Sequence, residues 1–196
     1  MSEKFKNKYT IKSTRLENYD YSQNGLYFVT ICTKDREESF GEIKDEKMIL
    51  NDVGEIAHKF WQEIPKHFPF VILDEFVMMP NHVHGILEIN WNIIGEPTEM
   101  QDIPKVETQD FASLQVNGQY KNKFGPQSKN LASIIRGFKV GVKKYTTINE
   151  IYFCWQPKFY DHIIRNDESL NKIREYIITN PERWERDRNM LENVFM

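Results

Sequence analysis

Met79-Pro80-Asn81-His82-Val83-His84-Gly85-Ile86-Leu87-Glu88-Ile89 reads as a turn followed by a strand, and the rest of the chain is organised around it. Pro80-Asn81 separates two apolar runs, residues 71–79 and 82–89, as a turn between paired strands does. Alternation along a strand sends His82 and His84 to one face and Val83 to the other. Two imidazoles so placed stand ~7 Å apart along the strand and can converge on one divalent cation. Neutral imidazole is the commonest protein ligand for such ions. A bare His-x-His is more often a pair of half-exposed strand histidines. A turn that delivers the pair onto a rigid apolar strand shifts the balance toward a site.

A chain of 196 residues accommodates one domain, or one domain with a long insertion. At 40% hydrophobic and 13% aromatic residues it can bury a sizeable core. A net charge of −3 excludes a generally basic coat, but the charges are unevenly placed. Residues 128–165 carry seven Lys/Arg against two acids, a local +5, which leaves −8 on the remainder. Any polyanion site is therefore local. Cys32 and Cys154 lack metal spacing and read as small core residues in a reducing compartment. The N-terminus is polar, with no apolar signal core, and no run approaches the ~20 apolar residues of a membrane span. A soluble, cytoplasmic protein without membrane contact is expected.

Residues 1–24 read as a basic arm, in whose first fifteen residues Lys4, Lys6, Lys8, Lys12 and Arg15 outnumber the single acid Glu3. Asn24-Gly25 marks a turn before a strand over 26–33, and residues 40–43 and 48–50 flank a hairpin turn. Asp52, with Glu55 three residues on, has capping-box spacing. The helix it opens gathers Val53, Ile56, Ala57, Phe60, Trp61 and Ile64 on one face, and Pro65 ends it. His58 lies off that stripe and is expected to be exposed. Residues 71–77 form the strand that leads into the histidine strand. Residues 92–127, interrupted by Pro and Gly, read as an insertion, mobile or a lid over the site.

Ser128 or Asn130 opens the next helix, with an apolar stripe from Leu131 to Tyr145. Arg136, Lys139 and Lys143 share another of its faces with Lys144 beside them, a surface suited to backbone phosphates as well as to solvent. A short strand is expected over 151–155. Trp155, Phe159 and Tyr160 mingle there with Lys158 and Arg165, the aromatic and cationic mixture used by single-strand binders. Asn166 caps the last helix, whose inward stripe is Leu170, Ile173, Tyr176 and Ile177, and Pro181 stops it. Asn180, at i+4 from Tyr176, would share its face. The domain is expected over residues 25–187, with 188–196 as a tail. Strands and helices alternate in the order of an α+β sheet.

Met79 to Gly85 also resembles the histidine-hydrophobe-histidine motif of single-strand DNA nucleases. As an ordered set, Tyr19-Asp20-Tyr21, residues 27–33, the histidine motif, Gly137-Phe138-Lys139, Trp155-Gln156-Pro157, residues 161–166 and residues 173–181 resemble the REP-associated tyrosine transposases. The resemblance spans most of residues 10–187. It implies a ferredoxin-like fold, an antiparallel sheet with helices packed mainly on one face, in which the C-terminal helix can lie across the histidine strand. It also implies that Tyr176 is a nucleophile forming a 5′-phosphotyrosine on single-stranded DNA bearing REP-like hairpins. Mg²⁺ or Mn²⁺ would sit on His82 and His84. Related transposases place a glutamine where Asn180 stands as third ligand, and His162 is the competing candidate. The expected assembly is a monomer or a homodimer. Two other classes remain open on the residues alone. One is a metal phosphodiesterase that activates water, with Tyr176 merely core; the other is a domesticated hairpin-binding protein without transposition.

Overall fold

The computed structural model describes Leu16, residues 19–94 and residues 129–189. It also describes the backbone of two paired strands in the basic arm, β1 (Lys4–Phe5) and β2 (Lys8–Tyr9). Most of the expected insertion and of the C-terminal tail lies outside the described residues.

Four strands of β-branched and aromatic residues form one antiparallel sheet: β3 (Gly25–Cys32), β6 (Val71–Met79), β7 (His82–Ile89) and β8 (Tyr160–Ile164). Their spatial order is β6-β7-β3-β8. The two-residue Pro80-Asn81 turn makes β6 and β7 a hairpin, with Met79 opposite His82 and Val77 opposite His84. A register shift between Leu73 and Phe76 bulges β6 at Asp74-Glu75. The chain order β3-α1-β6-β7-α3-β8, where α1 is Asp52–Gln62 and α3 is Leu131–Ile148, is that of a ferredoxin-like fold. Between β3 and α1 sits the expected hairpin, β4 (Gly41–Lys44) and β5 (Lys47–Leu50). Its turn residues Asp45 and Glu46 both have positive φ.

Alternation divides the sheet. Val83, Leu87 and Ile89 of β7, with Tyr27, Val29 and Ile31 of β3, face α1 and α3 in the main core around Trp61, Ile134 and Phe138. The opposite face carries a much smaller apolar cluster: Phe28, Ile86 and Ile164 from the strands, with Leu170 and Ile177 from α4 (Asp167–Ile178). The tyrosine-bearing helix therefore approaches the sheet on the histidine side. Gly85 lies on the core face, where a Cβ would run into the Trp61 indole.

Several local expectations are corrected. Asn51, not Asp52, caps α1, its Oδ1 accepting the Gly54 N–H. His58 is half-buried, its ring 5.0 Å from that of Phe76. Pro65 begins the short helix α2 (Ile64–His67) rather than closing α1, as its missing N–H permits in a first turn. Residues 151–154 form no strand; only an isolated bridge joins Trp155 to Thr33. The strand that pairs with the outer side of β3 is instead β8, where polar Asp161 and His162 mask the periodicity. After Thr179 the chain re-enters helix as α5 (Asn180–Asn189), with Trp184 buried.

The expected caps at Asn130 and Asn166 are present. Asn130 accepts the Ser133 N–H in a capping box, and Asn166 accepts the Ser169 N–H. Trp91, before the insertion, lies 5.9 Å from the ammonium of Lys129, after it, so both ends are anchored together. That anchor follows the Ile89 end of β7, remote from His82. No described helix is long and apolar enough to cross a membrane.

Candidate functional site

His82 and His84 leave β7 on the same face with ring centroids 4.4 Å apart. Each has an oxygen against Nδ1. The Asn81 Oδ1 lies 2.7 Å from His82 Nδ1 and, as an amide carbonyl, accepts its proton. Thr30, directly opposite His84 on β3, places Oγ1 2.9 Å from His84 Nδ1. With protons on both Nδ1 atoms, both Nε2 atoms present lone pairs; partners of this kind fix the tautomer of a metal-binding histidine.

His84 is buried, 2% exposed, and stacks on Phe28 at 5.3 Å. Burial lowers its pKa well below the usual value, and His82 adds to that. The His82 pKa falls to about 3, through burial and then the nearby Arg36 cation. By surface area the His82 residue is half-buried. Both rings are neutral at neutral pH, the form that ligates cations.

Tyr176 completes the group. Its hydroxyl lies 3.2 Å from His84 Nε2 and, in the tautomer above, donates to it. Its ring stands edge-on to Phe28 at 6.3 Å. Helix α4 reaches the sheet through Leu170, Ile173 and Ile177. Arg174 adds an ion pair to Asp74 of β6, Nε to Oδ1 at 2.8 Å and Nη2 to Oδ2 at 2.5 Å. Beyond the helix break, Trp184 of α5 covers the other histidine, its ring 6.1 Å from that of His82.

Imidazole nitrogens with second-partner oxygens suit a divalent ion. Among the described residues no group of three His, Cys, Asp or Glu side chains is placed to hold a metal, so the protein donors are fewer than such an ion takes. Asn180 is 2% exposed and its Nδ2 has no hydrogen-bond partner. With that amide turned over, its oxygen would occupy the orphaned position, a donor type that with two imidazole nitrogens would suit a mixed nitrogen and oxygen site. Tyr176 and Asn180 belong to two helices, α4 and α5, and not to one continuous face. His162 shares the histidine face, since it pairs with Phe28, but sits on edge strand β8. With β3 intervening, it is ~10 Å away across the sheet and is exposed. The fold does not bring it to the pair.

The predicted cationic residues divide between two cavities. Arg136, Lys139, Lys143, Lys144 and Lys158 line one groove of about 800 Å³ beside Trp155 and Phe159. Arg165 lines another, of about 390 Å³, with His162 and Tyr160. The groove lies on the α3 side, away from the histidine face. Two of its cations are structural ties: Lys139 donates to the carbonyls of Gln156 and Lys158, and Lys143 to that of Phe153. Burial lowers the Lys139 pKa to about 8. Arg136 and Lys144 are exposed.

Sequence reasoning missed Thr30, Asn81, Phe28 and the Asp74–Arg174 pair. Asn81 adjoins His82 and could have been suspected. Thr30 and Asp74 need the strand register, which local patterning does not supply.

The α+β sheet, with two histidines on an inner strand and a tyrosine facing them, defines a ferredoxin-like fold. Comparison with known proteins agrees, although no family model matches the chain. An uncharacterized protein of Haemophilus influenzae is 41% identical over 177 residues, 90% of this chain and 91% of that protein. A second H. influenzae protein, provisionally named a REP-associated tyrosine transposase, is 24% identical over 168 residues, 85% of this chain and 76% of its own length. A solved REP-associated tyrosine transposase, bound to a REP hairpin, shares the fold with a TM-score of 0.53 at 17% identity, covering 87% of this chain and 74% of that one. The chain is thus similar in sequence to one protein named as a REP-associated tyrosine transposase and shares the fold of another.

Proposed function

We propose that the protein is a metal-dependent single-stranded DNA endonuclease and strand transferase, acting on hairpin DNA through a 5′-phosphotyrosine intermediate. The observation that carries the reading is the 3.2 Å approach of the Tyr176 hydroxyl to His84 Nε2, beside a second neutral imidazole. An apolar stripe alone would require no such meeting. The hairpin bound to the solved relative supports the substrate class.

His82 and His84 would hold Mg²⁺ or Mn²⁺ through their Nε2 atoms, the Tyr176 hydroxyl giving up its hydrogen bond to His84 when the ion binds, with Asn180 as the third protein ligand. Held there, the ion would supply Lewis-acid polarisation of the scissile phosphate and offset its developing charge. Tyr176 supplies the nucleophile, a phenol of ordinary pKa ~10 that becomes reactive as its proton leaves. Its oxygen bonds to phosphorus while the bond from phosphorus to the 3′ oxygen breaks. The phenol proton passes to solvent, and the departing 3′ oxygen takes one up. One phosphodiester is exchanged for another, so the 3′-OH of a second strand can reverse the step without ATP. Phe28 and Trp184 flank the imidazoles with apolar surface, which strengthens electrostatic interactions at the phosphate. The basic groove along α3 would track the DNA backbone.

The test is incubation of the protein with hairpin-bearing single-stranded DNA from beside its own gene, with Mn²⁺, Mg²⁺ or EDTA, followed by a denaturing gel. Cutting with metal and hairpin, lost in EDTA, supports the reading. Binding without cutting under every metal condition contradicts it.

A further inference from the structure

We propose that Asp74 and Arg174 are positioning residues for the reaction, setting the rotation of α4 and thereby the place of the Tyr176 hydroxyl. The inference rests on the reading of Tyr176 as the reacting group.

The apolar hold on α4 is thin: among the described residues the buried cluster on the histidine face joins Phe28, Ile86 and Ile164 to Leu170 and Ile177, with Leu26, Val77 and Ile173 partly buried around it. Such a stripe keeps a helix on a sheet, yet it leaves rotation about the helix axis weakly specified, because apolar contact is non-directional. Arg174 and Tyr176 leave the helix ~200° apart, on the two flanks of that stripe. One flank is tied to β7 by Tyr176 and His84, and the other to β6 by Arg174 and Asp74.

The second tie is built for direction. Asp74 sits where β6 bulges out of register, and its Oδ1 also accepts the Glu75 N–H at 2.7 Å. Arg174 meets it with two parallel N–H donors, and its Nη1 donates to Asn171 at 3.3 Å. A planar fork on an oriented carboxylate fixes angle as well as distance, which an ammonium does not. At the ~6 Å reach of side chains from a helix axis, a turn of ~10° moves an atom by ~1 Å. A misplacement of that size can cost ~100-fold in rate.

The experiment compares Asp74→Asn, Arg174→Gln, their double variant and Arg174→Lys in the full chain. Three quantities are read: single-turnover cutting of the hairpin oligonucleotide with Mn²⁺, affinity for that oligonucleotide, and the fluorine resonance of 3-fluorotyrosine placed at Tyr176. Each single variant should cut ~10–100-fold more slowly, bind within twofold of wild type and shift the resonance. The double variant should be no worse than either single one, and Arg174→Lys should recover only part of the rate.

An unchanged resonance with unchanged rate overturns the inference. So does full recovery in Arg174→Lys, or a rate loss that merely follows a loss of folded protein. A shifted resonance with normal cutting leaves the rotation lock standing and removes Tyr176 from the chemistry. The two readings therefore fail separately.

Discussion

Gly85→Ala tests the packing that holds the histidine strand. The residue lies on the core face of β7, between His84 and Ile86, and an added Cβ would overlap the Trp61 ring. The indole cannot simply retreat, because it is fully buried and boxed by Phe76 at 5.9 Å and Phe138 at 5.2 Å. Overpacking of this kind costs about 1–3 kcal/mol. Gly85 has no positive φ, so alanine also gains back roughly 0.4–1 kcal/mol by restricting the unfolded chain. The clash wins, with a net loss of ~1–2 kcal/mol. At ~2–4 °C per kcal/mol for a chain of this size, the melting temperature should fall by about 2–8 °C.

Thermal unfolding of metal-free protein measures this loss directly. The companion variant Trp61→Leu makes room, so Gly85→Ala should cost less in that background, by about 1 kcal/mol of coupling. Because displaced backbone at Gly85 moves His84, cutting should fall further than the folded fraction does. A melting temperature within 1 °C of wild type, or strictly additive costs in the double variant, would refute the packing argument.

Other outcomes follow from the site. His82→Ala and His84→Ala should abolish cutting while most hairpin affinity remains, because phosphate contacts carry affinity; a gel and a binding titration on the same protein decide it. Arg136→Gln with Lys144→Gln should weaken DNA binding broadly and lower the salt slope by about 0.7 per lost contact for single strands, with melting unchanged. Lys139→Gln should also lower the melting temperature, since its ammonium ties two carbonyls. For pH, the buried His84 stays neutral when folded, whereas the unfolded chain protonates near 6.5. Metal-free stability should therefore fall as pH drops below ~6.5, by up to ~1.4 kcal/mol per unit from this residue. Urea unfolding of wild type against His84→Gln between pH 7 and 5 would show the difference, and parallel curves would contradict it.

Much of the arrangement was legible where the signal is local. The Pro80-Asn81 turn predicts the hairpin and, through alternation, the shared face of His82 and His84. Asn130 and Asn166 announce their helices because an amide that accepts an N–H three residues on is a local device. Features that depend on partners distant in sequence were not legible. Thr30 meets His84 only once β3 and β7 are in register, and Asp74 meets Arg174 only across a bulge. The edge strand at residues 160–164 was hidden because its polar residues blur the alternation. Pro181 signals an end to one helix equally well as the first turn of the next, so α5 and its Trp184 could not be read ahead. Lys139 and Lys143 looked like free cations because nothing local shows the carbonyls that hold them.

The central claim is that the Tyr176 oxygen becomes bonded to the 5′ phosphate of cut DNA. Tyr176→Phe removes that oxygen and keeps the ring, at the cost of one hydrogen bond worth roughly 0.5–1.5 kcal/mol. The decisive measurement is mass spectrometry of the denatured reaction with 3′-labelled hairpin DNA and Mn²⁺, mapping any nucleotide-bearing peptide. The account predicts an adduct on the peptide containing Tyr176 in wild type, and neither adduct nor cutting in a folded Tyr176→Phe protein that still binds the hairpin. Normal cutting by Tyr176→Phe, or an adduct mapped to Tyr160 or Tyr145 instead, would contradict it.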